Sequence, residues 1–221
     1  MQPEELNQLR FENLTKELEH ERDWRVKEFA LIKKQYLRYK REEFKKIFAK
    51  MIIPLLYAHW EGYCVSSFKL VLKFINEQKL SYIQITNNLF TYAHHNTYNY
   101  LKGKHSFEQR CKFSKNFMQL INQHEISVQT KIDTKANLKF EVLQEVCSFI
   151  GMSFEKFIEH KDDLDKLVSI RNAIAHGENG FSFDIDEITK NIVLVTNLMD
   201  LLLIESLSYI QEKKYLKMEN T

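Results

Sequence analysis

The chain has 221 residues and a formal net charge of +2, with only five glycines and two prolines. This length suits one domain with a sizeable core. The scarcity of glycine and proline favours long helices over a β sandwich or a glycine-rich nucleotide fold. Neither phosphate-binding pattern, G-x-x-x-x-G-K-[ST] or G-x-G-x-x-G, occurs. Cys64, Cys111 and Cys147 are too scattered for a zinc knuckle and predict a reduced, cytoplasmic setting.

Apolar periodicity predicts two long N-terminal helices that form an antiparallel hairpin. The first runs from Pro3 to about Tyr36, and an ion pair between Arg25 and Glu28 is expected on it. The second covers about Arg41 to Gln78. Pro54 lies inside this second helix, where it should kink the helix or mark its restart. The residues predicted to face the core from the second helix are Phe44, Ile47, Phe48, Met51, Leu55, Tyr63, Phe68, Leu72 and Ile75.

The middle of the chain is less regular. We expect a short helix at Ile83–Phe90 and then a connection rich in asparagine, histidine and tyrosine. Ser106 is a predicted N-cap for a helix that extends to about Gln123. The alternating β-branched residues of His124–Thr134 predict either an extended loop or a single strand.

Helical spacing resumes at Ala136 and predicts a helix to Ile150, with Gly151 at its C′ position. Ser153 restarts the helical pattern, which leads into a predicted helix at Asp163–Ala175. Gly177 follows as the stop signal.

Asp184 and Glu187 form a predicted capping box for the last helix, Asp186–Tyr215. The most apolar run, Ile192–Ile204, contains polar residues and predicts a buried helix rather than a membrane span. No signal peptide is expected from the polar segment Met1–Arg10. The pattern as a whole predicts an all-α fold in a single domain, 1–221, divided into a long hairpin (1–79), an irregular helical insertion (80–135) and a third helical region (136–215).

Charge is distributed unevenly along the chain. Residues 31–50 hold eight basic and two acidic residues, net +6, and residues 102–139 hold eight and three, net +5. Residues 140–221 hold eight basic and fifteen acidic residues, net −7. The basic segments can provide an electrostatic track for nucleic acid, or they can be ordinary solvated helix faces. The candidate RNA-binding residues are Lys33, Lys34, Arg38, Lys40 and Arg41.

Three polar side chains converge where the predicted helix Asp163–Ala175 ends. Asn172 and His176 are four residues apart and share a helix face, and Arg171 is next to them. A guanidinium holds two phosphate oxygens, an imidazole transfers protons near neutral pH, and an amide can orient a hydroxyl or an imidazole. The set suits chemistry on a phosphodiester. Spacing alone favours the simpler interpretation, in which Arg171 and His176 are cations near a helix end that suit the helix dipole.

Four stretches of the sequence resemble a bacterial subfamily of the HEPN superfamily (higher eukaryotes and prokaryotes nucleotide-binding domains). They are D-W-R-x-x-E at Asp23–Glu28, P-L-L-Y-A-H-W-E-G at Pro54–Gly62, N-L-x-x-E-V-L at Asn137–Leu143, and R-N-x-I-A-H-G-E at Arg171–Glu178. The resemblance covers nearly the whole chain and implies a HEPN-type helical bundle.

The resemblance also implies a function. Many members of the superfamily are metal-independent endoribonucleases that act in toxin–antitoxin, phage-defence or other conflict systems, and their substrate is RNA. They form homodimers with a composite active site in which two motifs face each other. Carried over to this chain, Arg171 and His176 are the catalytic pair and Asn172 is the polar member. No cofactor, no metal and no membrane contact are implied. An antitoxin or another defence-system partner is implied.

Three residues are candidates for supporting roles. Tyr57 and Glu61 share a helix face, from which Glu61 can orient Arg171 or His176 or can pair structurally. Glu178 stands where a tyrosine occurs in a toxin branch that is silenced by nucleotide modification, so that mechanism is not carried over. Two alternatives to the ribonuclease stay open. One is a non-cleaving HEPN module that binds RNA or a partner protein, and the other is a helical dimerisation protein.

Overall fold

The computed structural model describes residues 2–95, 98, 106–122 and 125–217. These residues form an all-α bundle in which α2 packs against α1, α6 and α7. The prediction of the fold class is confirmed. The helices are α1 (Pro3–Arg38), α2 (Glu42–Glu77), α3 (Asn87–Ala93), α4 (Phe107–Ile121), α5 (Phe140–Ile150), a 3₁₀ helix (Glu155–His160), α6 (Lys161–Ala175) and α7 (Ile185–Gln211).

Helices α1 and α2 form the predicted hairpin, and each contains 36 residues. The connection between them is only three residues long (39–41), so the two helices must run antiparallel. At the start of α1 the backbone N–H of Gln2 donates to Glu5 Oε2 at 2.9 Å, which completes a capping box. Helix α2 continues through Pro54 without interruption, so this proline does not mark a restart.

The prediction of the core face of α2 is wrong for four residues. Phe44, Ile47, Met51 and Leu55 are exposed, with 47%, 59%, 62% and 38% of their surface accessible. They lie on one face of α2 at helical spacing, whereas Ile52, Leu56, Trp60 and Tyr63 are buried on another. Because this part of α2 is apolar on more than one side, periodicity cannot tell which side faces the core. We call Phe44, Ile47, Met51 and Leu55 the α2 stripe.

The middle of the chain contains the two predicted helices with changed bounds. Helix α3 begins at Asn87 rather than Ile83, because Thr86 caps it by accepting a hydrogen bond from Leu89 N. Helix α4 begins after the predicted N-cap Ser106, which exchanges hydrogen bonds with Gln109. Much of the polar connection between α3 and α4 (96–97 and 99–105) lies outside the described residues.

Residues 125–134 form a loop without helix or strand, so the strand alternative for this segment is wrong. Side chains hold the segment in place of a ladder of backbone hydrogen bonds. The Asn76 amide donates to Val128 O at 2.9 Å and accepts from Val128 N at 2.8 Å. Tyr92 OH donates to Lys131 O at 2.7 Å. Helices α2 and α3 therefore fix the path of the chain as it approaches α5.

Helix α5 starts at Phe140, four residues later than predicted. The reason is that Lys135 and Ala136 have φ values of 56° and 47°, in the left-handed region, so the backbone turns there before the helix begins. Gly151 ends α5 with a φ of 76°, as predicted for a C′ glycine.

Helix α7 begins with the predicted capping box, in which Asp184 accepts hydrogen bonds from Asp186 N and Glu187 N. By length and composition its 27 residues can cross a membrane, with a mean hydropathy of 1.6 over the most apolar window. Here α7 packs against α1 and α2, and 44% of that window is buried inside the bundle. It is a core helix of the bundle, and it ends at Gln211, four residues before the predicted Tyr215.

Candidate active site

The end of α6 is a Schellman motif built on Gly177. Gly177 has a φ of +87°, and its N–H donates to Ile174 O at 3.0 Å while Glu178 N donates to Ala173 O at 3.0 Å. His176 is the last residue before the glycine and caps α6. This sharp stop places Arg171 and His176 within about one and a half turns of the same helix end.

Arg171 is held by three contacts. Its Nη1 donates to Asn172 Oδ1 at 2.7 Å, and its Nη2 donates to the carbonyl oxygen of Ala136 at 3.0 Å. Its Cζ lies 3.8 Å from the centre of the Tyr57 ring, which is cation–π distance. A guanidinium has five N–H donors, and these two hydrogen bonds use two of them. Arg171 is half-buried, so the remaining donors belong to an oriented group near the surface.

Tyr57 and Glu61 act together beneath Arg171. The buried Tyr57 hydroxyl donates to Glu61 Oε1 at 2.9 Å and accepts from Leu138 N at 2.8 Å. The same Glu61 oxygen accepts from Thr134 Oγ1 at 2.6 Å. Burial raises the pKa of Tyr57 to about 12, so its hydroxyl is protonated at neutral pH. Glu61 thus orients Tyr57, and the Tyr57 ring supports Arg171.

Asn172 connects Arg171 to a further asparagine. Its Oδ1 accepts from Arg171, and its Nδ2 donates to Asn137 Oδ1 at 3.0 Å. Both polar atoms of the Asn172 amide are therefore used inside the site. In this arrangement its side chain orients the guanidinium of Arg171, while its backbone carbonyl accepts from His176 N at 2.9 Å.

His176 and Glu178 are exposed at the tip of the site. The loop after them is tied to α2, because Lys50 Nζ donates to Asn179 Oδ1 at 2.5 Å. The imidazole is exposed five residues along the chain from the half-buried guanidinium, so it is accessible to a large substrate. The side chain of Glu178 makes no hydrogen bond to another described residue, so only its backbone has a place in the helix cap.

The candidate RNA-binding residues lie near the turn of the α1–α2 hairpin. Lys33 is half-buried. The other four are exposed, namely Lys34, Arg38, Lys40 and Arg41. Arg41 pairs with Glu43 at 3.1 Å and lies over the Phe44 ring at 4.8 Å. From the same basic segment it is Lys50 that reaches the loop after His176. The hydrogen bonds and ion pairs of the described residues do not connect the five candidates to Arg171.

The comparisons with known proteins give one match. The model of the RiboL-PSP-HEPN family matches residues 20–206, which includes every residue of the site described above. The chain belongs to the RiboL-PSP-HEPN family. No curated protein and no solved structure matches it.

The N-terminal motif of this RiboL-PSP-HEPN chain forms a different cluster, around Arg25. The Arg25 side chain is buried, with 6% of its surface exposed, and its Nη1 donates to Glu21 Oε2 at 2.8 Å. Arg25 thus pairs with Glu21 and not, as expected, with Glu28. Its Cζ lies 4.2 Å from the Trp24 ring centre, and a Cβ at Gly62 would lie 3.3 Å from Arg25 Nη2. Gly62 therefore makes room for a buried arginine, which is a structural role.

Sequence reasoning missed three groups of the candidate site. They are the carbonyl of Ala136, the hydroxyl of Thr134 and the amide of Asn137. Asn137 belongs to a quoted motif, but nothing in its spacing connects it to Arg171. A carbonyl carries no signal in the side-chain pattern. Only the fold brings these groups together, because 35 residues separate Ala136 from Arg171.

Proposed function

We propose that this protein is a metal-independent endoribonuclease. The observation that carries the proposal is the end of α6, where Arg171 is fixed by two hydrogen bonds and the Tyr57 ring, close along the helix to an exposed imidazole, His176. Membership of the RiboL-PSP-HEPN family supports it. By the sequence resemblance, Arg171, Asn172 and His176 correspond to the arginine, polar residue and histidine of the HEPN signature.

The proposed reaction is attack by the ribose 2′-hydroxyl on the adjacent phosphorus. A base removes the O2′ proton, the O2′–P bond forms and the P–O5′ bond breaks. An acid then delivers a proton to the departing O5′. Arg171 stabilises the charge that develops on the phosphoryl oxygens, and His176 transfers a proton. The products are a 2′,3′-cyclic phosphate and a 5′-hydroxyl, and DNA is not cut because it lacks the nucleophile.

One imidazole cannot be base and acid in the same step. A homodimer that brings His176 of two copies to one cleft supplies both groups. The α2 stripe supports this arrangement, because it is a row of apolar side chains exposed on the outer face of a bundle helix. Monomeric proteins seldom leave such rows uncovered, so we infer that the second copy covers the stripe.

The position of the α2 stripe fits a composite site. Lys50 and Tyr57 of the same helix contact the loop after His176 and the side chain of Arg171, respectively. Adjacent residues on a helix diverge by about 100°, so Met51 of the stripe lies about a quarter turn from Lys50. A partner seated on the stripe therefore lies next to Lys50, which holds the loop after His176. The proposed setting is the cytoplasm, where such an enzyme acts as a toxin or phage-defence effector controlled by an antitoxin or another partner.

The test is incubation of the purified protein with RNA in the presence of EDTA. We expect the wild type to cut RNA and Arg171→Ala and His176→Ala to be inactive, because each removes one of the two reacting groups. His20→Ala is the matched control for His176→Ala, since His20 is exposed on another helix. It should cut at the wild-type rate.

The outcomes separate the proposed ribonuclease from its alternatives. Cutting that persists in both Arg171→Ala and His176→Ala would contradict the proposal, because the activity would then come from elsewhere. RNA binding without cutting by the wild type favours the non-cleaving module. Expression of the same variants in cells shows whether growth arrest depends on the same two residues.

A further inference from the structure

The chain just before α5 has an unusual backbone. We call residues 133–138 the strap. Lys135 and Ala136 are consecutive and both have left-handed φ values, 56° and 47°, although neither is glycine. Residues with side chains rarely adopt this region, and they persist there when the surrounding structure holds them. Strained residues of this kind cluster at functional sites.

Anchors on α2 hold the strap. Thr134 Oγ1 donates to Glu61 at 2.6 Å, and Leu138 N donates to the Tyr57 hydroxyl at 2.8 Å. Thr134 and Leu138 are buried, with 8% and 0% of their surface exposed, so these hydrogen bonds are shielded from water. The strap is therefore fixed on both sides of its strained pair, and the anchors are the same two residues that lie beneath Arg171.

The strap directs two acceptors toward α6. The Ala136 carbonyl accepts from Arg171 Nη2 at 3.0 Å. The Asn137 Oδ1 accepts from Asn172 Nδ2 at 3.0 Å, and Asn172 in turn accepts from Arg171 Nη1 at 2.7 Å. Each terminal nitrogen of the guanidinium is therefore bound, directly or through Asn172, by a group that the strap positions.

We propose that the strap is a positioning element for Arg171 and that Asn137 is a positioning residue. The proposal rests on the proposed function. Two acceptors on two nitrogens, with one face on the Tyr57 ring, fix the plane of the guanidinium. Its Nε–H and one N–H on each terminal nitrogen stay available, and a fork of this kind binds two phosphate oxygens. Asn137 sets the orientation of that fork before RNA arrives.

The kinetic test compares Asn137→Ala with Asn137→Asp. The alanine variant loses the acceptor for Asn172, and we expect kcat to fall by roughly tenfold or more with little change in KM, because a misplaced guanidinium stabilises the transition state less well. The aspartate variant keeps an oxygen acceptor and should recover most of the rate. In an Arg171→Lys background, Asn137→Ala should add little further loss, because both changes act on one group.

A second measurement does not depend on cleavage. In protein labelled with ¹⁵N-arginine, the Arg171 side-chain signal is assigned by its absence in Arg171→Lys. We expect restricted motion of this guanidinium in the wild type and in Asn137→Asp, and faster motion in Asn137→Ala. Equal motion of the guanidinium in all three proteins would overturn the strap proposal. The proposal would also be overturned if Asn137→Ala lowered kcat by the same factor in the wild-type and in the Arg171→Lys background.

Failure of the strap proposal and failure of the proposed function are distinguishable. If the wild type cuts no RNA, the proposed function fails, and the motion of Arg171 still decides whether the strap positions it. If the wild type cuts RNA and Asn137→Ala keeps the wild-type kcat, only the strap proposal fails. Thermal unfolding of each variant shows whether the domain is folded in the assay.

Discussion

The substitution Tyr57→Phe tests the internal support of the site. It removes one oxygen atom and keeps the ring on which Arg171 stacks at 3.8 Å. The lost hydroxyl makes two hydrogen bonds, one to Glu61 at 2.9 Å and one from Leu138 N at 2.8 Å. Leu138 is fully buried, so its N–H finds neither water nor another acceptor without a movement of the strap.

The magnitude follows from these two hydrogen bonds. A buried N–H without a partner costs about 1–3 kcal/mol, and a hydrogen bond to a carboxylate contributes about 1.5–3 kcal/mol. Because the strap can relax, the two do not add fully, and we expect the free energy of unfolding to fall by about 2–4 kcal/mol.

Urea unfolding measures this change as a lower midpoint at an unchanged slope. Tyr36→Phe is the control, because Tyr36 is buried but its hydroxyl makes no hydrogen bond to another described residue, so little change is expected there. A loss below about 0.5 kcal/mol for Tyr57→Phe, similar to the control, would refute the view that the phenol anchors the strap.

Three further predictions concern backbone strain, pH and association. Ala136 has a φ of 47°, which glycine adopts without strain, so Ala136→Gly should leave the free energy of unfolding unchanged or raise it by up to about 1 kcal/mol. The control Ala30→Gly, inside α1, should lower the free energy of unfolding by about 1 kcal/mol. Equal losses for the two variants in urea unfolding would contradict the prediction. Burial lowers the pKa of His59, so the unfolded chain binds the proton more readily, and stability should fall by up to about 1.4 kcal/mol per pH unit below about pH 6.5. The difference in stability between wild type and His59→Asn should therefore depend on pH in that window, and a flat difference curve would count against it. If the proposed dimer forms through the α2 stripe, Met51→Lys should make the protein monomeric in sedimentation velocity. Ile83→Lys, at an exposed apolar position outside the stripe, should leave the dimer intact, and a dimer that survives Met51→Lys would place the interface elsewhere.

Local signals predicted much of the fold. Asp184 with Glu187, Ser106, Gly151 and Gly177 all have the capping roles that their sequence positions indicate. These predictions succeed because a cap satisfies backbone groups within a few residues, and the necessary partners are therefore adjacent in sequence. The positions of Arg171, Asn172 and His176 in the last turns of α6 follow from the same local geometry.

The remaining features depend on contacts between distant parts of the chain. The exposed face of α2 cannot be distinguished from its buried face by periodicity, because Met51 and Leu55 are as apolar as Ile52 and Leu56. The late start of α5 reflects the left-handed turn at Lys135 and Ala136, and neither lysine nor alanine is a residue type that predicts such a turn. Tertiary anchors set that turn, so the strap and the contact between Asn137 and Asn172 become visible only in three dimensions.

The chemistry of the RNA ends that the protein leaves tests the proposed ribonuclease activity most directly. Purified wild-type protein in EDTA should leave 2′,3′-cyclic phosphate and 5′-hydroxyl ends, identified by mass spectrometry, and Arg171→Ala and His176→Ala should leave none. Fragments with 3′-hydroxyl and 5′-phosphate ends would mean that water rather than the ribose attacks phosphorus, and would contradict the account.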